Sequence, residues 1–153
     1  MFICHVALQG CLTLQDVPYG LTADTGGHIK YLLELAGASA KDPSVHRIDL
    51  VTRGFVDSRL GDKFRPRESE HDGKVRLVRI ADGEEAYLPK EDLRHRHGDL
   101  CDAFIAYLRG LRRKPDLIHA HYADAGILAR RAKEVFGIPY VFTGHSLGAV
   151  KRE

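Results

Sequence analysis

The chain has 153 residues, of which 44% are hydrophobic and 29% charged, a composition and a length that fit one globular domain of about 100 to 200 residues. A disordered tail, a coiled coil and a fibrous repeat are excluded as the main form. Lys+Arg 23 against Asp+Glu 21 leaves a formal net charge of +2, far short of the excess carried by proteins that coat nucleic acid or an anionic membrane. Three cysteines, Cys4, Cys11 and Cys101, stand without C-x-x-C spacing. They signal neither a disulfide framework nor a zinc knuckle, so a reducing cytoplasm is the expected compartment. The apolar runs fall far short of the roughly 20 residues that cross a bilayer, and no export signal is expected.

In chain order, Phe2 to Leu8 is short, apolar and β-prone, and predicts a buried strand. Asp24-Thr25-Gly26-Gly27 then leads into Ile29, Leu32, Leu33, Ala36 and Ala40, spaced for one face of a helix. Arg47 to Thr52 predicts a second strand and completes a right-handed βαβ unit. Arg53 to Lys74 lacks periodicity and reads as a long surface excursion, after which Val75 to Ile80 alternates as a half-exposed strand. Pro89-Lys90-Glu91-Asp92 suits a helix start, and Leu100, Ala103, Phe104, Tyr107, Leu108 and Leu111 give the core face of the helix, with Arg112, Arg113 and Lys114 at its basic end. Asp116 to His121 is the next strand. Asp124 then reads as the cap of a helix through Ala125, Leu128, Ala129, Ala132, Val135 and Phe136, closed by Gly137, and Pro139 to Thr143 is the last strand. The alternation predicts an α/β fold, a Rossmann-like parallel sheet with helices on both faces. The residues after Thr143 read as a turn entering a helix that is cut short.

Ligands of open parallel sheets bind outside the carboxyl ends of the strands, where the strand order reverses. That rule selects Gln9, Gly10 and Asp24 to His28 after the first strand, His121, Tyr122 and Asp124 after the strand that holds His119, and Thr143 to Ser146 after the last. Gly26 and Gly27 at a helix start offer free N–H groups and a positive dipole end, which favours a phosphate oxygen. The same dipeptide also fits a turn that packs the helix tightly on the sheet with Thr25 as its cap. His119-Ala120-His121 points two imidazoles to one face, a possible metal pair with His5 or His145 as a third ligand, but no catalytic metal is expected. His119 reads as a core residue, and His121 can face either a ligand or the backbone. Gly144-His145-Ser146-Leu147-Gly148 matches G-x-S-x-G, but no histidine follows it, so a hydrolase triad in the usual order through Ser146 cannot form.

Together, Leu21 to Leu35, Arg47 to Arg53, Tyr87-Leu88-Pro89-Lys90-Glu91, His119 to Gly126 and Phe142 to Gly148 resemble the amino-terminal part of the sucrose-phosphate synthases and of related retaining GT-B glycosyltransferases such as sucrose synthase. The resemblance implies that residues 1–153 form a single, incomplete amino-terminal GT-B domain, lacking the carboxyl-terminal domain that holds the nucleotide sugar. It implies transfer of glucose from a nucleotide sugar, UDP-glucose by expectation, to fructose 6-phosphate or a related sugar, with no cofactor and with the second domain supplied in cis or in trans. It assigns His145 to orient the transferred sugar, His121 to the same site as a strand-end histidine, Gly26, Gly27 and His28 to the donor diphosphate and the acceptor, and Lys151 to the acceptor side. Without the second domain the chain is expected to be inactive alone. A stand-alone sugar-phosphate or nucleotide-binding module acting with a separate chain is the alternative, and a serine hydrolase using Ser146 is the remote one. Two positions depart from the family: His28 stands where it usually has Gln, and Ala86 where it tends to have Lys, which removes one counter-charge for an acceptor phosphate.

Overall fold

The computed structural model describes residues 1–66 and 69–146. Lys151, and the expected helix after Gly144 beyond its first residues, lie outside them. Six strands form one sheet in the order β3-β4-β2-β1-β5-β6, with β1 Phe2–Val6, β2 Arg47–Arg53, β3 Ser69–Asp72, β4 Val75–Ile80, β5 Leu117–His121 and β6 Tyr140–Thr143. All neighbouring pairs are parallel except β3, which runs antiparallel to β4 at the edge. The apolar run of β1 is explained by its central place, with β2 on one side and β5 on the other.

Helices cover both faces. Helix α1, Gly27–Ala40, buries Ile29, Leu32 and Ala36 along one stripe, packing with Ala7, Ile48, Leu50 and Leu77. Helix α2, His97–Gly110, and helix α3, Tyr122–Phe136, cover the opposite face. Their Leu100, Phe104, Leu108, Leu128 and Ala129 pack against Cys4, Val6, Ile118 and Ala120. The small side chains of Ala125, Ala129 and Ala132 are fully buried, which lets α3 lie close to the sheet. Gly137 ends α3 in the left-handed conformation, φ 72°, and its N–H donates to the Lys133 carbonyl at 2.9 Å. Among the described residues no helix is long and apolar enough to cross a membrane.

Several local expectations are corrected. Neither α1 nor α3 has a side-chain cap. Thr25 instead accepts a bond from the Cys11 N–H at 2.9 Å, and the Asp124 carboxylate bonds His97. The helix start at Lys90 is a 3-10 helix, Lys90–Arg96, that runs into α2. The basic residues after Leu111 lie beyond the end of α2 at Gly110. The stretch after β2 is more built than its lack of periodicity implies: it contributes β3, and Phe55 and Phe64 stack at 5.0 Å over buried Cys11.

Asp49 on β2 is fully buried. It accepts paired bonds from Arg47, each at 3.0 Å, one from Arg76 at 2.8 Å and one from the Tyr107 hydroxyl. This knot ties β2, β4 and α2 together at their shared face and, despite the cost of burying the carboxylate, holds Asp49 below the usual carboxylate range through its bonds to the two guanidiniums. Asp49→Ala leaves these donors facing an empty site. Removing one partner of a buried pair costs about 3 to 5 kcal/mol, and the partial exposure of both arginines lowers the expected loss to about 2 to 4 kcal/mol. Urea unfolding measures it, and a loss within error of zero would show that the knot is not a stabilising feature.

Candidate functional site

The strand order reverses at β1: β2 and β4 lie to one side and β5 and β6 to the other. The crevice beyond the carboxyl ends of β1 and β5 is therefore the position where a ligand meets an open α/β sheet. Side chains alternate along each strand. Because Cys4, Val6, Ile118 and Ala120 face α2 and α3, His5, His119 and His121 face the other side, beside α1. Register places His5 directly opposite His119, and His121 opposite Thr143.

The result is a file of imidazoles. Nδ1 of His5 lies 3.1 Å from Nε2 of His121, and Nδ1 of His121 lies 2.9 Å from Nε2 of His145. Nε2 of His119 lies 2.7 Å from the Thr143 hydroxyl. His5 and His121 are 2% and 1% exposed, whereas His145 is exposed at the rim. His145 sits in the left-handed region at φ 57°, as does Tyr122 at φ 69°. Both turn sharply where a strand ends, which aims their rings into the crevice. Rings then converge: Tyr122 lies 4.8 Å from His145 and 5.2 Å from His28, and Tyr31 lies 5.5 Å from His145.

Gly26 is the N-cap of α1 and Gly27 its first residue. A Cβ built on either meets nothing within 4 Å among the described residues, and neither has a positive φ. Tight packing of the helix on the sheet therefore does not account for these glycines, and the space above them is open. Gly10 is different: its φ is 80°, and a Cβ there would stand 2.5 Å from the Asp24 carbonyl oxygen, so only glycine lets the first loop press against the turn. The turn is pinned from beneath. Buried Asp24 accepts bonds from the Tyr87 hydroxyl at 2.9 Å and the Lys90 N–H at 3.0 Å, with the Lys90 ammonium 3.7 Å away. His28 bridges to the same loop, its Nε2 3.3 Å from the Gln9 carbonyl oxygen.

The structure thus brings Gly26, Gly27, His28, His121 and His145 to one rim, His28 and His145 being 6.5 Å apart between ring centres. Tyr31, Tyr122 and Lys90 join them. Tyr122 is selected by its place directly after a strand-end histidine, whereas Tyr31 is not marked by the sequence, because an aromatic at helical spacing looks like core. His5, His119 and His121 each offer a nitrogen within 4.8 Å of the others. However, the rings of His119 and His121 stack at 4.2 Å with 24° between planes. Their in-plane lone pairs run side by side instead of converging on a tetrahedral ion, and both nitrogens of His121 already have partners. At Ser146 the geometry differs from a nucleophile elbow, because the left-handed residue is His145.

A mostly parallel sheet, helices on both faces and a rim of glycine amides and imidazoles at the switch point define a Rossmann-like domain of the GT-B type. Residues 26–153 match the glycosyl transferase 4-like domain, and the chain belongs to that family. Over its full length it is 32% identical to a probable sucrose-phosphate synthase 4 of Oryza sativa subsp. japonica and 33% identical to sucrose-phosphate synthase 4 of Arabidopsis thaliana, covering 17% of each. A solved sucrose-phosphate synthase from Thermosynechococcus elongatus superposes with a TM-score of 0.74 at 26% identity, over 98% of this chain and 34% of that one. The chain is thus related to the amino-terminal domain of sucrose-phosphate synthases and spans about one sixth of the length of these curated relatives.

Burial, reinforced by neighbouring imidazoles, pushes His5 down to about 3 and His121 down to about 2. The unfolded chain takes up these protons near pH 6.5, whereas the folded chain resists them until far lower pH. Their linkage therefore leaves stability unaffected above pH 6.5 and erodes it as pH falls from 6.5 toward 3, by up to about 1.4 kcal/mol per pH unit for each imidazole. Urea midpoints between pH 7 and pH 4 measure the fall, and His5→Leu is expected to flatten it. A slope unchanged by that substitution would rule out His5 as a source.

Proposed function

We propose that this domain forms the acceptor- and donor-facing half of a retaining glycosyltransferase of the sucrose-phosphate synthase type. It moves glucose from a nucleotide sugar, UDP-glucose in the first instance, to fructose 6-phosphate or a related sugar phosphate. The nucleotide-sugar half is a second Rossmann-like domain, in cis or in trans, and residues 1–153 are read as one domain of the pair. Three thiols in no disulfide agree with a reducing, cytoplasmic setting.

The observation that carries this reading is the placement of Gly26 and Gly27 at the N-terminus of α1, next to His28 and the rim that holds His145, with no described residue covering them. A phosphate oxygen fits there, because free N–H groups and the positive end of the α1 dipole face that space. Lys90 beside the turn adds a cation, shared at 3.7 Å with Asp24 and at 3.9 Å with the exposed Glu91. In this reading Gly26, Gly27 and His28 meet the donor diphosphate and the acceptor, and Lys151 serves the acceptor side. His145 bonds hydroxyls of the transferred glucose, orienting it and steadying the negative charge that develops on oxygen. His121 holds His145 from behind, at 2.9 Å. His28 replaces an amide with an imidazole wedged between Gln9 and Tyr122, so the acceptor contact differs from the family pattern.

Titration of the labelled chain with fructose 6-phosphate is expected to shift the amides of Gly26, Gly27 and His28 with millimolar affinity, while fructose leaves them in place. Silent amides with every sugar phosphate would remove the anion site. In the protein combined with its donor domain, His145→Ala is expected to lower kcat by about 100- to 1000-fold, the loss typical of one transition-state donor, with KM little changed. Full activity in that variant would take His145 out of the chemistry.

A further inference from the structure

His5 poses an accounting problem. Its Nε2 is buried and has no hydrogen-bond partner among the described residues, while its Nδ1 faces Nε2 of His121 at 3.1 Å. The other nitrogen of His121 faces Nε2 of His145 at 2.9 Å. A neutral imidazole has one N–H and one lone pair, so two bonds in series through His121 admit only two polarities. In one, His145 donates to His121 and His121 to His5, and His5 is left with a buried, orphaned Nε2–H. In the other, His5 donates from Nδ1 to His121, His121 donates from Nδ1 to His145, and His5 keeps only a bare lone pair at Nε2. Either polarity leaves Nε2 of His5 without a partner, and a buried N–H without one is the rarer of the two. The choice is therefore made at the buried end of the file and read out at the exposed one. All three groups are held neutral by their surroundings, since burial lowers each imidazole from its ordinary value.

We infer that His5 and His121 are positioning residues that fix His145 as the neutral Nδ1–H tautomer, its Nε2 lone pair engaged by His121 and its N–H presented to the crevice. His145 is thereby a hydrogen-bond donor to an oxygen and is disarmed as a general base, because its lone pair is occupied. The inference rests on the glycosyl-transfer reading only for the identity of that oxygen, a hydroxyl of the transferred sugar. The tautomer itself is a property of the free chain. His5 contributes without touching the crevice, and no sequence pattern marks it, since a histidine inside an apolar strand looks like any satisfied core residue.

Long-range proton–nitrogen correlation on the nitrogen-15-labelled chain at pH 7.5 reads the tautomers directly. The expected result is Nδ1–H as the dominant form on His5, His121 and His145. In His121→Phe the tether is gone, and His145, exposed to water, is expected to shift toward Nε2–H so that the Nδ1–H form no longer dominates. His121→Asn, whose amide N–H can replace the Nδ1–H donor, is expected to restore the native pattern. Nε2–H on His145 in the native chain overturns the inference. So does Nδ1–H persisting undiminished in a folded His121→Phe. If the substituted chains fail to fold, the native tautomers decide alone. Correct tautomers with silent amides toward sugar phosphates would defeat the glycosyl-transfer reading and leave the relay standing, and the reverse result would do the opposite.

Discussion

The parallel pairing of β1 with β5 is the constraint on which the site depends. Register puts His5 opposite His119 and carries His121 one step further to the strand end. Since the chain order reverses between these two strands, α1 leaves the sheet on one face and α3 on the other. The gap they leave is where the N-terminus of α1 and the ends of β5 and β6 all open. A slip of one residue would turn every imidazole of β5 onto the α3 face, where Ile118 and Ala120 now pack against apolar side chains. The same hydrophobic alternation that fixes the core therefore fixes the rim.

The two halves of the crevice are held by different means. On the α1 side a buried carboxylate, Asp24, gathers Tyr87 and Lys90 under the glycine turn, which ties the loop before α1 to the start of the 3-10 helix. On the β5 side neutral imidazoles replace charges, and a sterically demanding backbone at Tyr122 and His145 turns their rings inward. Positive φ on non-glycine residues costs energy and persists where neighbours over-determine it. Here the His121 bond and the contacts with Tyr31 and Tyr122 supply that determination.

Much of this was legible in the sequence. Every strand of the parallel sheet and all three helices announce themselves by periodicity and by Gly or Pro punctuation, because their burial is one-sided or complete. The antiparallel strand β3 was invisible: Ser69-Glu70-His71-Asp72 lies at an edge and buries almost nothing, so no apolar alternation betrays it. Phe55 and Phe64 likewise form their small cluster through a loop rather than through a period. At the site, Gly26, Gly27, His121 and His145 were found by their places after strands. Tyr122 was found in the same way, whereas Tyr31 was not and His5 was marked only as a possible metal ligand, because their meeting with the rim is a product of sheet register and of backbone reversal, neither of which a linear spacing encodes.

The departures at His28 and Ala86 gain a physical meaning from the loop that contains Ala86. Arg53 is buried and spends its guanidinium on structure, bonding the Asp82 carboxylate at 3.0 Å and the carbonyl oxygens of Glu84 and Ala86 at 2.7 and 2.9 Å. That brace holds the segment whose backbone leads to Tyr87 and the Asp24 pin, so the 86 position is fixed through its main chain whatever side chain it bears. The missing lysine therefore removes charge without loosening the wall. With Arg53 and Arg79 both committed to carbonyl and carboxylate oxygens, recognition of an anion on the proposed reading falls chiefly to main-chain amides, which discriminate by direction and distance. On that reading the site favours a compact, directionally held phosphate over diffuse negative charge, because amides at the paired glycines, and not the count of nearby cations, do the selecting.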